Sequence, residues 1–258
     1  MTLSAQDNEL AHLSDEFQDA KSLQNWTSFH ESEGWPNHIL KANINTSSEG
    51  NFHLEPQVGF WYGEVHCGPF YFKEVRGDFT VTTKVKASGR NTETPLKSFS
   101  LAGLMVRSPR PTGISKTKKG YENWLFISTG YAKGKHQPQF ETKQTINGKS
   151  KLKIFPAKNG WVEIAISRKG NRFLLYVKED QGWSILREIT HPNMGETLQV
   201  GMIAYTDFNS SMKRRYVFKR TALNTTVYTD GEPDLIARFD YLRVYRQEED
   251  LIGVLEVN

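Results

Sequence analysis

An all-β, two-layer antiparallel sandwich is the fold class this sequence predicts. Three observations predict it: runs alternating apolar and polar residues recur from near Asp15 to Tyr245, Gly/Asn/Asp-rich turns separate them, and helical periodicity is scarce. The first runs are Leu40, Ala42 and Ile44, alternating with Lys41, Asn43 and Asn45, then Phe52 and Leu54 after Ser48-Glu49-Gly50. These read as a hairpin-like pair. In Asp78 to Lys86 the residues Phe79, Val81, Thr83 and Val85 share one face, since successive side chains of a strand point to opposite sides.

Trp124-Leu125-Phe126-Ile127 is apolar at every position, which predicts a central strand covered on both faces. Phe140 to Ile146 follows, and Asn147-Gly148 predicts a two-residue type I′ turn, because both residues tolerate positive φ. A meander comes next, with Val162, Ile164 and Ile166, then Phe173, Leu175 and Val177, then Trp183, Ile185 and Ile189. Leu198, Val200, Met202 and Ala204 form another strand. In the last one Leu235, Ala237, Phe239 and Tyr241 share a face before the pattern shifts to Leu242 and Val244, which predicts a bulge or burial on both faces. Only Asp7 to Leu13 and Asp19 to Leu23 suggest short helical turns.

A chain of 258 residues, 37% hydrophobic and 24% charged, suits one large soluble sandwich. The expected layout is an N-terminal extension over 1–14, the sandwich over 15–247, and a tail or added edge strand over 248–258. No stretch reaches the ~20 apolar residues of a membrane span. The opening residues lack the basic start and apolar middle of an export signal, which leaves a cytoplasmic protein and a trimmed secreted form both open. The single Cys67 excludes an internal disulfide. A net charge of +4 is modest, with cations concentrated at Arg107 to Lys119 and at Lys213 to Arg220. Solvated loops or contacts with an anionic polysaccharide explain these clusters; nucleic acid is disfavoured for want of a binding motif.

Asp15-Glu16-Phe17 with Ser22-Leu23-Gln24-Asn25-Trp26, Val75-Arg76-Gly77-Asp78-Phe79 and Phe239-Asp240-Tyr241-Leu242-Arg243-Val244-Tyr245 together resemble the concanavalin A-like lectin and glucanase superfamily. Leu101 to Arg107, Phe140 to Thr145 and Gln199 to Met202 add to the likeness, which runs from about Asp15 to Arg246. It is nearest a domain of unknown function related to the C-terminal sandwich domain of β-xylosidases. The resemblance implies a curved jelly roll whose concave face and rim often bind saccharides. It also implies a structural calcium, held by residues matching Glu16 and Asp240, although two carboxylates fall short of calcium's six to eight oxygens. An Arg partner or backbone hydrogen bonds would satisfy Asp240 without metal.

The hydrolytic members carry a tight Glu/Asp cluster on one strand, and no strand here has one. Glu141 with Asp207 or Glu122 remains the pair able to meet from separate segments; retention would require their carboxyls about 5 to 5.5 Å apart and inversion about 6.5 to 9.5 Å. Asp230-Gly231-Glu232-Pro233-Asp234 reads as a turn. Glu141, Lys143 and Thr145 share a polar strand face, and Arg107 ends an apolar strip from which its guanidinium can extend toward Glu141. Trp61 and Tyr62 lie in the densest aromatic region and either pack internally or line a groove. Trp26, Trp161 and Trp183 are expected in the core. The seven scattered histidines offer no zinc spacing.

The leading functional expectation is therefore non-catalytic saccharide recognition, with an oligo- or polysaccharide, anionic or neutral, on the concave face. The ligand-binding candidates are Arg107, Glu141, Lys143, Trp61, Tyr62 and Asp207. A glycan hydrolase and a protein-interaction module are the alternatives.

Overall fold

The computed structural model describes residues 9–116, 118–213 and 220–246. In chain order the first strands are β1 (Thr27–Ser28), β2 (Ile39–Ile44), β3 (Phe52–Pro56), β4 (Trp61–Tyr62), β5 (Val65–His66), β6 (Phe70–Arg76), β7 (Phe79–Ser88) and β8 (Ser100–Arg107). There follow β9 (Trp124–Tyr131), β10 (Gln139–Ile146), β11 (Lys149–Pro156) and β12 (Trp161–Lys169). The set closes with β13 (Arg172–Glu179), β14 (Gly182–Thr190), β15 (Thr197–Tyr205) and β16 (Ile236–Tyr245). Among the described residues three short α-helices, α1 (Phe29–Glu33), α2 (Phe208–Lys213) and α3 (Arg220–Thr225), interrupt the pattern, and two 3-10 turns, Ala11–Leu13 and Ala20–Asn25, stand near the start of the chain.

Two antiparallel sheets of seven strands carry the fold, in the orders β1-β6-β15-β8-β9-β10-β11 and β14-β13-β12-β7-β16-β3-β2. This is the expected jelly-roll sandwich. Its main core lies between the sheets, where Leu104, Ile127 and Met202 of the first meet Val81, Ile166, Leu175 and Phe239 of the second. The β2–β3 hairpin, the central β9, the β12–β13–β14 meander and the bulge between Phe239 and Tyr241 all appear where the sequence predicts them. At the other end of the chain, Asp15 bridges to Leu242 and the buried Leu10 joins the core, so the described part of the N-terminal extension packs on β16. The predicted tail over 248–258 and most of the cationic cluster from Lys213 to Arg220 lie outside the described residues.

One aromatic expectation fails. Trp161 is 39% exposed at the start of β12, because the odd-numbered residues of that strand face away from the core, and Trp183 is only partly buried on the same outer surface. Lys84 covers the ring of Trp161, and Lys178 that of Trp183. Trp26 does belong to the core.

The β10–β11 turn has φ +49° at Asn147 and +73° at Gly148, as the Asn-Gly pair predicts. A Cβ on Gly148 would stand 1.8 Å from Glu64 Oε1, the oxygen that accepts the Gly120 N–H. Gly148→Ala is therefore expected to destabilise the protein by about 2–3 kcal/mol, combining left-handed strain with a displaced buried carboxylate. Gly170 also has positive φ but has open space at its Cβ position, so Gly170→Ala is expected to cost only about 1 kcal/mol. Urea denaturation of the two variants checks the difference.

Candidate functional site

The sheet face expected to hold a ligand is covered by the chain itself. Even and odd positions of β8, β9, β10 and β15 are both buried, one set in the main core and the other beneath a second apolar cluster. That cluster packs Leu101, Met105, Trp124, Phe126, Ile203 and Tyr205 of the sheet against Phe29, Trp35, Phe60, Trp61 and Leu223 from the connecting segments. Trp61 is fully buried. Its indole sits 5.2 Å from the Phe29 ring and about perpendicular to Phe70 and Trp124, the edge-to-face geometry aromatic quadrupoles favour. The aromatic region is thus a plug over the sheet rather than an open platform, and only Tyr62 of the pair reaches solvent.

Beneath the plug lies a buried ionic group. Lys143 Nζ is 2.7 Å from Glu141 Oε1 and donates to the Trp61 carbonyl at 2.8 Å, while Tyr205 donates its hydroxyl to Glu141 Oε2 at 2.9 Å. The rings of Phe126 and Tyr205 flank the ammonium at 5.0 and 5.6 Å. Burial, followed by the Glu141 charge, raises the Tyr205 phenol well above its ordinary range, so it stays a proton donor in this bond. Every partner here is internal. Lys143 ties the plug to the sheet by a charge-assisted hydrogen bond.

Arg107 does not reach Glu141. Glu141 is opposite Ser128, and Ser128 opposite Gly103, so it lies two strands away and four residues along β8 from Arg107. The guanidinium, 1% exposed, instead contacts Glu33 of α1, Glu122 and Gln199, with Nη1 2.5 Å from Glu33 Oε1 and 2.7 Å from Gln199 Oε1, and Nε 3.2 Å from Glu122 Oε2. Arg110 donates to the second Glu122 oxygen at 3.0 Å. Burial pushes Glu122 up, but Arg107, His66 and Arg110 outweigh it and hold the carboxyl below the ordinary carboxylate range. The same balance raises Arg107, whose desolvation is overcome by Glu122 and Glu33. Four alternating charges neutralise one another.

Outside this network a cleft of about 530 Å³ opens between α1, β6 and the loop over 109–116. Phe72 and Gln199 floor it, Glu33 and Glu74 bring carboxylates, and Arg110 and Lys116 bring cations. Lys116 fastens the loop to α1 by donating to the Gly34 carbonyl at 3.0 Å and lies over the Trp35 ring. Sequence reasoning missed Glu33, Glu74 and this cleft. The signal for α1 was present: Ser28 with Glu31 three residues on, closed by Gly34 at φ +66°.

The other candidates are dispersed. Asp207, at φ +55°, accepts the backbone N–H groups of Ser210 and Glu232, which makes it a loop-fixing residue beside a second pocket rather than a partner of Glu141. Glu16 forms a two-pronged pair with Arg243 at 2.7 and 2.8 Å, and Asp240 pairs with Lys84 at 3.2 Å. Each carboxylate implied for calcium has its own cation, and no group of three or more His, Cys, Asp or Glu side chains able to hold a metal occurs among the described residues. As they stand, Glu16 and Asp240 do not fit a calcium site. Burial pushes the Cys67 thiol up to about 12, away from nucleophilic chemistry.

A family model described as a protein of unknown function, DUF1349, matches residues 30–225. The chain belongs to the DUF1349 family. That span includes the Arg107 network and, of the plug residues named above, all but Phe29. Among solved structures, the DUF1349 chain is similar to a functionally unknown protein from Saccharomyces cerevisiae, with 17% identity over 88% of this chain and 99% of that one, at a TM-score of 0.57. It is also similar to a variant of the GH43 protein BlXynB from Bacillus licheniformis, at 14% identity and a TM-score of 0.57, covering 95% of this chain but only 41% of that one. A β-1,3-glucanase from Mycobacterium marinum matches at 10% identity and a TM-score of 0.52, over 94% and 100% of the two chains. At such identities the likeness is one of fold, and it agrees with the glucanase-type sandwich expected of this DUF1349 protein. The comparison with curated proteins found no match.

Proposed function

We propose that this protein is a non-catalytic saccharide-recognition domain that binds its ligand in the cleft between α1, β6 and the 109–116 loop. The observation that carries the reading is the neutralised charge behind the cleft. Glu33 and Glu122 are both paired with Arg107, and Glu122 also with Arg110; Glu122, held below the ordinary carboxylate range, is not poised as the protonated acid that glycoside hydrolysis needs. What remains toward the opening is a mixed set of donors and acceptors beside Pro109, Pro111 and Ile114, the composition that orients hydroxyl-bearing ligands. The glycan-related fold neighbours favour the same ligand class.

Glu74 is exposed on the cleft wall with no hydrogen bond to another described side chain, which leaves its carboxylate free to accept from sugar hydroxyls. Glu74→Ala is expected to weaken oligosaccharide binding about tenfold, roughly 1.4 kcal/mol, without changing stability. A glycan array followed by titration calorimetry tests this. Retained affinity in the variant, or silence across the array, would refute the cleft as the binding site; release of reducing ends from the bound glycan would favour the hydrolase instead.

A further inference from the structure

The open edge of the sandwich between β11 and β14 carries an unneutralised row of cations. β11 is the outermost strand of its sheet and pairs with β10 alone. Lys149, Lys151 and Lys153 are exposed at alternate positions, so they project to one side, at a spacing of about 6.8 Å along the strand. Their cross-strand partners are Ile146, Gln144 and Thr142, none of them acidic. Arg187 of β14 reaches across the sandwich edge to the same place. Its Nη1 donates to the Thr142 carbonyl and hydroxyl at 3.2 and 3.1 Å, and its Nη2 to Gln144 Oε1 at 3.0 Å, all neutral acceptors.

Among the described residues no ion pair joins any of these four cations to a carboxylate, whereas Glu163 and Glu188 on the adjoining sheet are engaged by Lys178 and Arg172. Four positive charges with no internal counterion raise the local potential and attract an extended anion. The strand also ends at Pro156, and lysines with a proline on an edge discourage the addition of a further peptide strand. Flexible ammonium groups in a line suit a chain whose charges recur along its length and whose backbone needs no sheet hydrogen bonds.

From this geometry we infer a second binding site, in which Lys149, Lys151, Lys153 and Arg187 hold an anionic polysaccharide bearing sulfate or uronate groups along the β11 edge. The site is separate from the cleft and stands without it. Ion pairing at an exposed edge is screened within about 8 Å at physiological ionic strength, so the binding weakens steeply with salt.

The test measures binding of the full chain to heparin and to polygalacturonate by biolayer interferometry, at low and high salt. Neutral arabinoxylan, polyglutamate and single-stranded DNA serve as comparison ligands. The expected result is salt-sensitive binding to at least one anionic glycan, weakened at least about tenfold in the Lys149→Gln/Lys151→Gln/Lys153→Gln variant with an unchanged Tm, and unaffected by Glu74→Ala. Absence of binding to both anionic glycans at low salt overturns the inference. So does wild-type affinity in the triple variant, or equal or tighter binding of polyglutamate or DNA. Because Glu74→Ala reports only on the cleft, failure there and failure at the edge are distinguishable.

Discussion

Replacing Arg107 with Met is expected to destabilise the protein by about 3–5 kcal/mol at neutral pH, the cost of leaving a buried carboxylate without its counterion. Arg107 and Glu122 are each 1% exposed, so water cannot stand in for the guanidinium, and Arg110 compensates only one Glu122 oxygen. The loss should depend on pH. Glu122 has a depressed pKa in the folded protein, so its contribution is present above the ordinary carboxylate pKa and disappears as pH falls through the depressed value. Without Arg107 that contribution is gone, so the gap between wild type and variant should be widest at neutral pH and close in acid. Thermal melts over a pH series check both the size and the direction. A gap that stays constant into acid would mean that the ion pair is not what Arg107 contributes.

Lys143→Met is expected to have a comparable effect, about 3–5 kcal/mol, but with a different signature. It leaves Glu141 fully buried with only the Tyr205 hydroxyl, and it cuts the hydrogen bond that fastens the Trp61 carbonyl to the sheet. Hydrogen exchange should therefore quicken first around residues 60–67, with a change in tryptophan emission as the indole loses its Phe29, Phe70 and Trp124 neighbours. Glu141→Gln added to Lys143→Met removes the stranded charge and should recover much of the stability. The plug should recover less, since the Trp61 carbonyl still lacks its donor. A double-mutant cycle by denaturant titration separates the two contributions. Additive losses would show that the carboxylate and ammonium do not act as a pair.

Much of the sandwich was readable because strand burial imposes a period of two on the sequence. Phe79 to Val85 alternates cleanly, Asn147-Gly148 carries its own turn geometry, and the phase shift after Tyr241 announces the bulge near Asp240. The site was much less legible. Glu141 and Lys143 were correctly placed on one face with each other, but whether that face met solvent depended on segments more than fifty residues away. Trp161 failed for a related reason: alternation tells which residues share a side, and near a strand end an aromatic residue can fall on the outer one. The partner of Arg107 was misassigned because strand order, β8 beside β9 and β15 rather than β10, is a property of topology.

By itself the sequence determined the strands, their turns and the two-layer architecture, because these follow from local alternation and from backbone preferences at a few turn residues. Only the tertiary structure decided that the prospective binding face is filled by Trp61 and its aromatic neighbours, that Arg107 belongs to Glu33 and Glu122, and that an open cleft lies beside α1. The reason is physical: charge pairing and exclusion of water act over a few ångströms of space, and strands distant along the chain supply the groups that meet there.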